Sequence, residues 1–110
     1  MIEIEEYRRD NQISPFDEWF SSLNVPAASK VSTALVRLEM GNTSGIKWFD
    51  GFGEYRINWG PSYRIYLIQE GHRLIILIGG GDKSSQKRDI KAVKSLIKEY
   101  QRGKKSEQKR

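Results

Sequence analysis

From Glu54 to Ile68 the chain alternates with a period of two, interrupted once by Gly60-Pro61-Ser62, and this stretch most restricts the fold. Alternation of this kind builds strands with two distinct faces, because successive side chains point to opposite sides of the pleat. Tyr55, Ile57 and Trp59 fall on one side, and Glu54, Arg56 and Asn58 on the other. After the turn, Tyr63, Ile65 and Leu67 share a face, and Arg64, Tyr66 and Ile68 take the opposite one. Arginines and a tyrosine are thereby held out on a rigid sheet. Cations and aromatics fixed in this way bind phosphate and stack bases together, a combination suited to RNA.

The flanking segments supply the other elements. Ile2 to Tyr7 alternates weakly and reads as a first strand, with Ile2 and Ile4 inward. Ser14-Pro15 starts a helix: Ser14 can cap, Pro15 fits the first helical position, and Asp17 and Glu18 suit the positive end of the dipole. Phe16, Trp19, Phe20 and Leu23 form one face of it, which marks them as core. Asn24-Val25-Pro26 opens a second helix with Val31, Ala34, Leu35 and Leu38 inward, ended by Gly41-Asn42. Lys47 to Asp50 is a short strand before the Gly51-Phe52-Gly53 turn. Arg73 to Ile78 is apolar on both faces and predicts a central, doubly covered strand. Ser84 or Ser85 begins a last helix that buries Ile90, Val93, Leu96, Ile97 and Tyr100. The expected fold is a small α+β domain over residues 1–101: an antiparallel sheet packed by an N-terminal helical hairpin and a C-terminal helix, with part of one sheet face open. Residues 102–110 read as a basic disordered tail.

Composition narrows the partners. Residues 83–110 hold eleven Lys/Arg against three Asp/Glu, a balance of +8, while residues 1–82 hold eight against eleven, or −3. A basic end next to strand arginines favours a polyanion. The chain has no cysteine, which excludes disulfides and thiolate metal sites and fits a reducing cytoplasm. Glu3, Glu5 and Glu6 stand where a signal peptide needs a basic and then apolar segment. The apolar run Leu74 to Ile78 is too short to span a membrane.

The tract Gly79-Gly80-Gly81-Asp82-Lys83-Ser84-Ser85-Gln86 superficially resembles a phosphate loop. A Walker loop requires glycine directly before its lysine, and Asp82 there repels a triphosphate. A simpler expectation is that the glycines let the chain leave the central strand sharply and set Lys83 beside a helix N-terminus, where one phosphate group is favoured. The lone His72 lies in a turn, which argues against a histidine metal site or histidine acid–base pair. Arg56 and Arg64 carry most of the functional weight, with pairing to Glu54 or another strand's acid as the alternative to ligand binding.

Glu54-Tyr55-Arg56-Ile57, Gly60-Pro61-Ser62-Tyr63-Arg64-Ile65-Tyr66 and Gly80-Gly81-Asp82-Lys83-Ser84-Ser85-Gln86 with Asp89-Ile90 resemble the RelE/ParE toxin superfamily, in its HigB-like addiction module killer branch. The resemblance covers residues 1 to about 100. It implies a toxin of a type II toxin–antitoxin system that enters the ribosomal A site and cuts translated mRNA. It also implies a cognate helix-turn-helix, HigA-like antitoxin, through which alone the toxin would meet operator DNA. Carried over by position, Arg64 matches the arginine at the scissile phosphate, Arg56 a strand position kept basic, and Lys83 the cation after the last strand. Tyr66, Gln86 and Arg88 are the expected substrate-binding residues. Some relatives use a tyrosine in the C-terminal helix as a base or stacking group, whereas this chain has none there before Tyr100, which leaves Tyr66 and Lys83 as candidate proton acceptors. The expected reaction uses the RNA 2′-hydroxyl as nucleophile and requires neither metal nor cofactor. Competing expectations are a gyrase-poisoning toxin and a non-enzymatic RNA- or protein-binding module.

Overall fold

In the computed structural model, which describes residues 1–108 with side chains to Lys104, the elements follow the order β1 (Glu3–Glu6), α1 (Pro15–Ser21), α2 (Val25–Glu39), β2 (Ile46–Phe49), β3 (Phe52–Ile57), β4 (Tyr63–Glu70), β5 (Leu74–Asp82) and α3 (Gln86–Gln108), with a single 3-10 turn at Lys83–Ser85 before α3. The fold is α+β, as the sequence predicts. Five strands form one sheet in the order β1-β5-β4-β3-β2. β2 to β5 form an antiparallel meander, but β1 runs parallel to β5, so the sheet is mixed rather than antiparallel.

Local chemistry sets the helix ends. Ser14 Oγ accepts from Asp17 N at 3.0 Å and donates to Glu6 Oε1 at 2.7 Å, so the cap also ties α1 to β1. Asn24 Oδ1 caps α2 by accepting from Ala27 N at 2.9 Å. Phe16, Val31, Ala34 and Leu38 of the hairpin pack on Ile46, Ile65, Leu67, Ile75 and Leu77 of the sheet. The opposite face is also covered: Val93 and Ile97 of α3 pack on Phe52, Tyr66, Ile68, Ile76 and Ile78. The expectation that part of one face is open is therefore corrected for β3 and β4, because α3 crosses the face that carries Arg64 and Tyr66.

The triple glycine also differs from expectation. Gly79, Gly80 and Gly81 belong to β5, paired with Tyr66, Ile65 and Arg64, and do not form an exit loop. Close approach explains them: a Cβ on Gly80 would overlap the Trp19 ring, and one on Gly81 the Asp89 carboxylate. Residues 102–108, read from the sequence as the start of the tail, are described as part of α3. α3 continues to Gln108, and Lys104 Nζ meets Glu70 Oε2 at 3.0 Å while lying over the Tyr100 ring. Residues 109–110 lie outside the described residues. Among the described residues, no helix is long and apolar enough to cross a membrane.

Candidate active site

Strand register brings the key side chains together. Arg56 pairs across strands with Arg64, and Glu54 with Tyr66, so these four residues form a square on the α3-facing side of β3 and β4. Lys47 of β2 stands opposite Glu54 and extends the cluster towards the sheet edge. Two arginines directly opposed repel, and Glu54 offsets this from one position along. Its Oε1 lies 3.5 Å from Arg56 Nη2 and 3.6 Å from Arg64 Nε. Its Oε2 accepts from Gln86 Nε2 at 3.0 Å, which fixes the first turn of α3 over the carboxylate. Glu54 is only 1% exposed, Arg64 is buried, and Arg56 leaves 47% of its side chain open to solvent. Gly45, Lys47, Glu54 and Arg56 line a shallow cavity of about 240 Å³ at the mouth of this cluster.

Arg64 is further held by the turn before it. Its Nη1 donates to the Ser62 carbonyl at 2.9 Å, and Ser62 has a φ of 61°, an uncommon conformation for a residue with a side chain.

Tyr66 requires a correction. It is fully buried beside Phe52, and its hydroxyl has no hydrogen-bond partner, so its ring offers no surface on which a base can stack. Burial raises its phenol above the ordinary range, the Glu54 and Asp89 carboxylates add to that, and Arg64 and Arg56 oppose it. Such a phenol does not serve as a base near neutrality.

The residues after β5 divide between two places. Gln86 joins Glu54. Lys83 is exposed on the 3-10 turn, where its backbone N–H donates to the Pro61 carbonyl at 3.3 Å, so it stands beside the β3–β4 connection. No described side-chain bond links Lys83 to either arginine. Arg88 lies on the other flank of α3, lining a separate cleft of about 410 Å³ with Trp19, Leu23, Tyr63 and Asp82. The expected phosphate cradle at this turn is already filled: Asp82 Oδ1 accepts from Ser84 N at 2.8 Å and Ser85 N at 3.2 Å. The Ser84 hydroxyl, with these backbone donors, holds the Asp82 carboxyl below its ordinary range.

Sequence reasoning gave Glu54 too small a part and left Lys47 out. The signal for Glu54 was its position two residues before Arg56, on the same strand face. Two larger grooves, about 580 and 780 Å³, flank the far half of α3, where Glu70 holds Tyr100 and Lys104, and Glu99 holds Tyr7 and Arg9. They are lined by a different set of residues. No described group of three or more His, Asp or Glu residues could hold a metal ion.

The site's defining geometry is thus a buried carboxylate clasped by cross-strand arginines beneath the start of a basic helix. The chain is 45% identical over 86 residues to a protein of Haemophilus influenzae described as an uncharacterized protein, a match covering 76% of this chain and 87% of that relative. It belongs to the same family as the Haemophilus protein. No family model matches the chain, and no solved structure does.

Proposed function

We propose that the protein is the toxin of a type II toxin–antitoxin module, a HigB-like member of the RelE/ParE superfamily that cleaves translated mRNA in the ribosomal A site. The observation that carries this reading is the convergence of Arg56 and Arg64 on one sheet face around Glu54. In the reaction, the 2′-oxygen attacks the adjacent phosphorus and the 5′-oxygen leaves, giving a 2′,3′-cyclic phosphate and a 5′-hydroxyl end. Glu54 takes the 2′-hydroxyl proton once substrate has displaced its present partners, a role for which Tyr66 is unsuited because its phenol holds its proton well above neutrality. Arg56 and Arg64 bind the non-bridging oxygens as negative charge grows, and the exposed Lys83 ammonium gives a proton to the leaving 5′-oxygen. For Arg64 to reach a phosphate, Glu54 and Gln86 must release their present contacts, so substrate replaces one anionic partner with another. Neither a metal nor a cofactor enters this scheme. A HigA-like helix-turn-helix antitoxin would neutralise the toxin in the cytoplasm and provide its sole route to operator DNA.

The burial of Arg64 and Tyr66 favours one competitor, a non-enzymatic RNA- or protein-binding module in which the arginine–glutamate cluster is structural. Mapping RNA 5′ ends on a translated message after induction separates the readings. Codon-spaced cuts are expected for the nuclease. DNA breaks without RNA cuts would identify a gyrase poison, and neither lesion would identify a binding module.

A further inference from the structure

Lys87, Lys91, Lys94 and Lys98 of α3 are all exposed and are spaced four, three and four residues apart. At 3.6 residues per turn they form a stripe about 60° wide and roughly 16 Å long. Ile90, Val93 and Ile97 face the sheet about 100° round the helix from the stripe, so the lysines run along an exposed flank of α3 beside its buried face. Among the described residues none of the four lysines takes part in an ion pair. The acids of α3 up to Lys104 are engaged elsewhere: Asp89 accepts from Ser85, and Glu99 from Tyr7 and Arg9. Like charges one turn apart weaken a helix, as Lys87–Lys91 and Lys94–Lys98 do here. A densely negative partner would reverse that repulsion.

We propose that this ridge docks the protein on the phosphate backbone of double-helical RNA, irrespective of sequence and separately from the strand at Glu54. A duplex carries one charge per ~1.7 Å of axis, so a straight ridge of this length lies alongside several phosphates at once. Single-strand binding calls for aromatic platforms among the cations. The exposed aromatics, Trp48, Phe49 and Trp59, lie on β2 and the β3–β4 connection; none is on α3 among its lysines, although Phe49 stacks on Phe52 of the sheet face that α3 covers. The choice of RNA over DNA rests on the function proposed above, whereas the preference for duplex phosphate rests on the ridge alone.

The test is anisotropy of a labelled short RNA duplex titrated over a salt series with wild type, a Lys87→Gln/Lys91→Gln/Lys94→Gln/Lys98→Gln variant, and Arg64→Lys. Counterion release gives a log–log slope of about −0.9 per neutralised phosphate, so the quadruple variant should lose ~3–4 from the slope and at least tenfold in affinity at low salt. Arg64→Lys should keep the slope, and circular dichroism should show α3 intact in the quadruple variant. An unchanged slope overturns the proposal. So does equal or tighter binding of the single strand, a polyglutamate peptide or anionic vesicles, and a DNA duplex bound more tightly overturns the assignment to RNA. If wild type cuts no RNA yet shows the slope change, the nuclease reading fails and the ridge stands. If it cuts RNA and the slope is unmoved, the ridge alone fails.

Discussion

Glu54→Gln keeps the shape of the side chain and removes its charge, and the structure allows its cost to be bounded before any activity is measured. Glu54 is 1% exposed, and its partner Arg64 is similarly enclosed, with Nε 3.6 Å from the carboxylate and Nη1 bonded to the Ser62 carbonyl at 2.9 Å. Removing one member of a buried pair typically costs about 3–5 kcal/mol, because a charge is left uncompensated. The long Nε–Oε1 separation and the retained Ser62 contact reduce this, and the glutamine amide still accepts from Gln86, so about 2–4 kcal/mol is expected. The half-exposed Arg56 contributes little, and Arg56→Gln should cost only ~0–1 kcal/mol. Urea unfolding at neutral pH measures both, with the slope against denaturant held constant as a check that the unfolded state is unchanged. A loss for Glu54→Gln no larger than that for Arg56→Gln would refute the claim that this carboxylate compensates a buried guanidinium. A double-mutant cycle with Arg64→Met would locate the coupling: the two single losses should sum to more than the double variant loses.

Arg64→Lys should reduce RNA cleavage by on the order of hundredfold or more, equivalent to ~3–4 kcal/mol of transition-state stabilisation, and purified protein acting on a defined message reads this directly. Gly81→Ala forces a methyl group into the Asp89 carboxylate and should destabilise by about 1–3 kcal/mol in urea unfolding, with Gly80→Ala against Trp19 similar. Hydrogen bonds lower the folded-state pKa of both Glu70 and Glu99, to Glu70 first from Lys104 and to Glu99 first from Arg9, so their stabilisation is present above the ordinary value of 4.5 and fades as pH falls through the lowered one. Acid unfolding should consequently begin at higher pH in wild type than the flat low-pH response of a Glu70→Gln/Glu99→Gln variant would suggest, and parallel curves for the two proteins would contradict the assignment. Burial, with Glu99 beside it, pushes Tyr7 up to about 12, so its contribution holds to the ordinary phenol value of 10.0 and is lost above it. Tyr66 and Tyr100 are also raised, so ultraviolet titration should show several phenols ionising late, of which one moves part of the way back towards its ordinary range in Glu99→Gln.

Much of the architecture was legible because periodicity reports which residues share a face. The shift from helical spacing through Leu38 to strict alternation from Glu54 located the hairpin and meander, and Ser14 and Asn24 cap the helices where their hydroxyl and amide types suggest. The pairing of Arg56 with Arg64 follows from two alternating strands joined by a short turn. Periodicity carries no information about what packs on a face. The polar face of β3 and β4 read as open because Glu54, Arg56 and Arg64 lie on it, yet α3 crosses it and buries Glu54, Arg64 and Tyr66. Gln86 and Arg88, two residues apart on one helix, part for the same reason: Gln86 donates to Glu54, whereas Arg88 lines the cleft beside Trp19 and Tyr63.

The sequence by itself determined the elements, their caps, the alternation that aligns two arginines, and the excess of cations on the last helix. Those features arise from interactions between residues close along the chain. Only the tertiary structure decided that β1 joins the sheet in parallel, that the glycines of β5 make room for Trp19 and Asp89, and that Glu54 is the centre of the arginine cluster. Each of those outcomes depends on which distant segments meet, and burial then determines whether a charged side chain faces water or must find a partner within the protein.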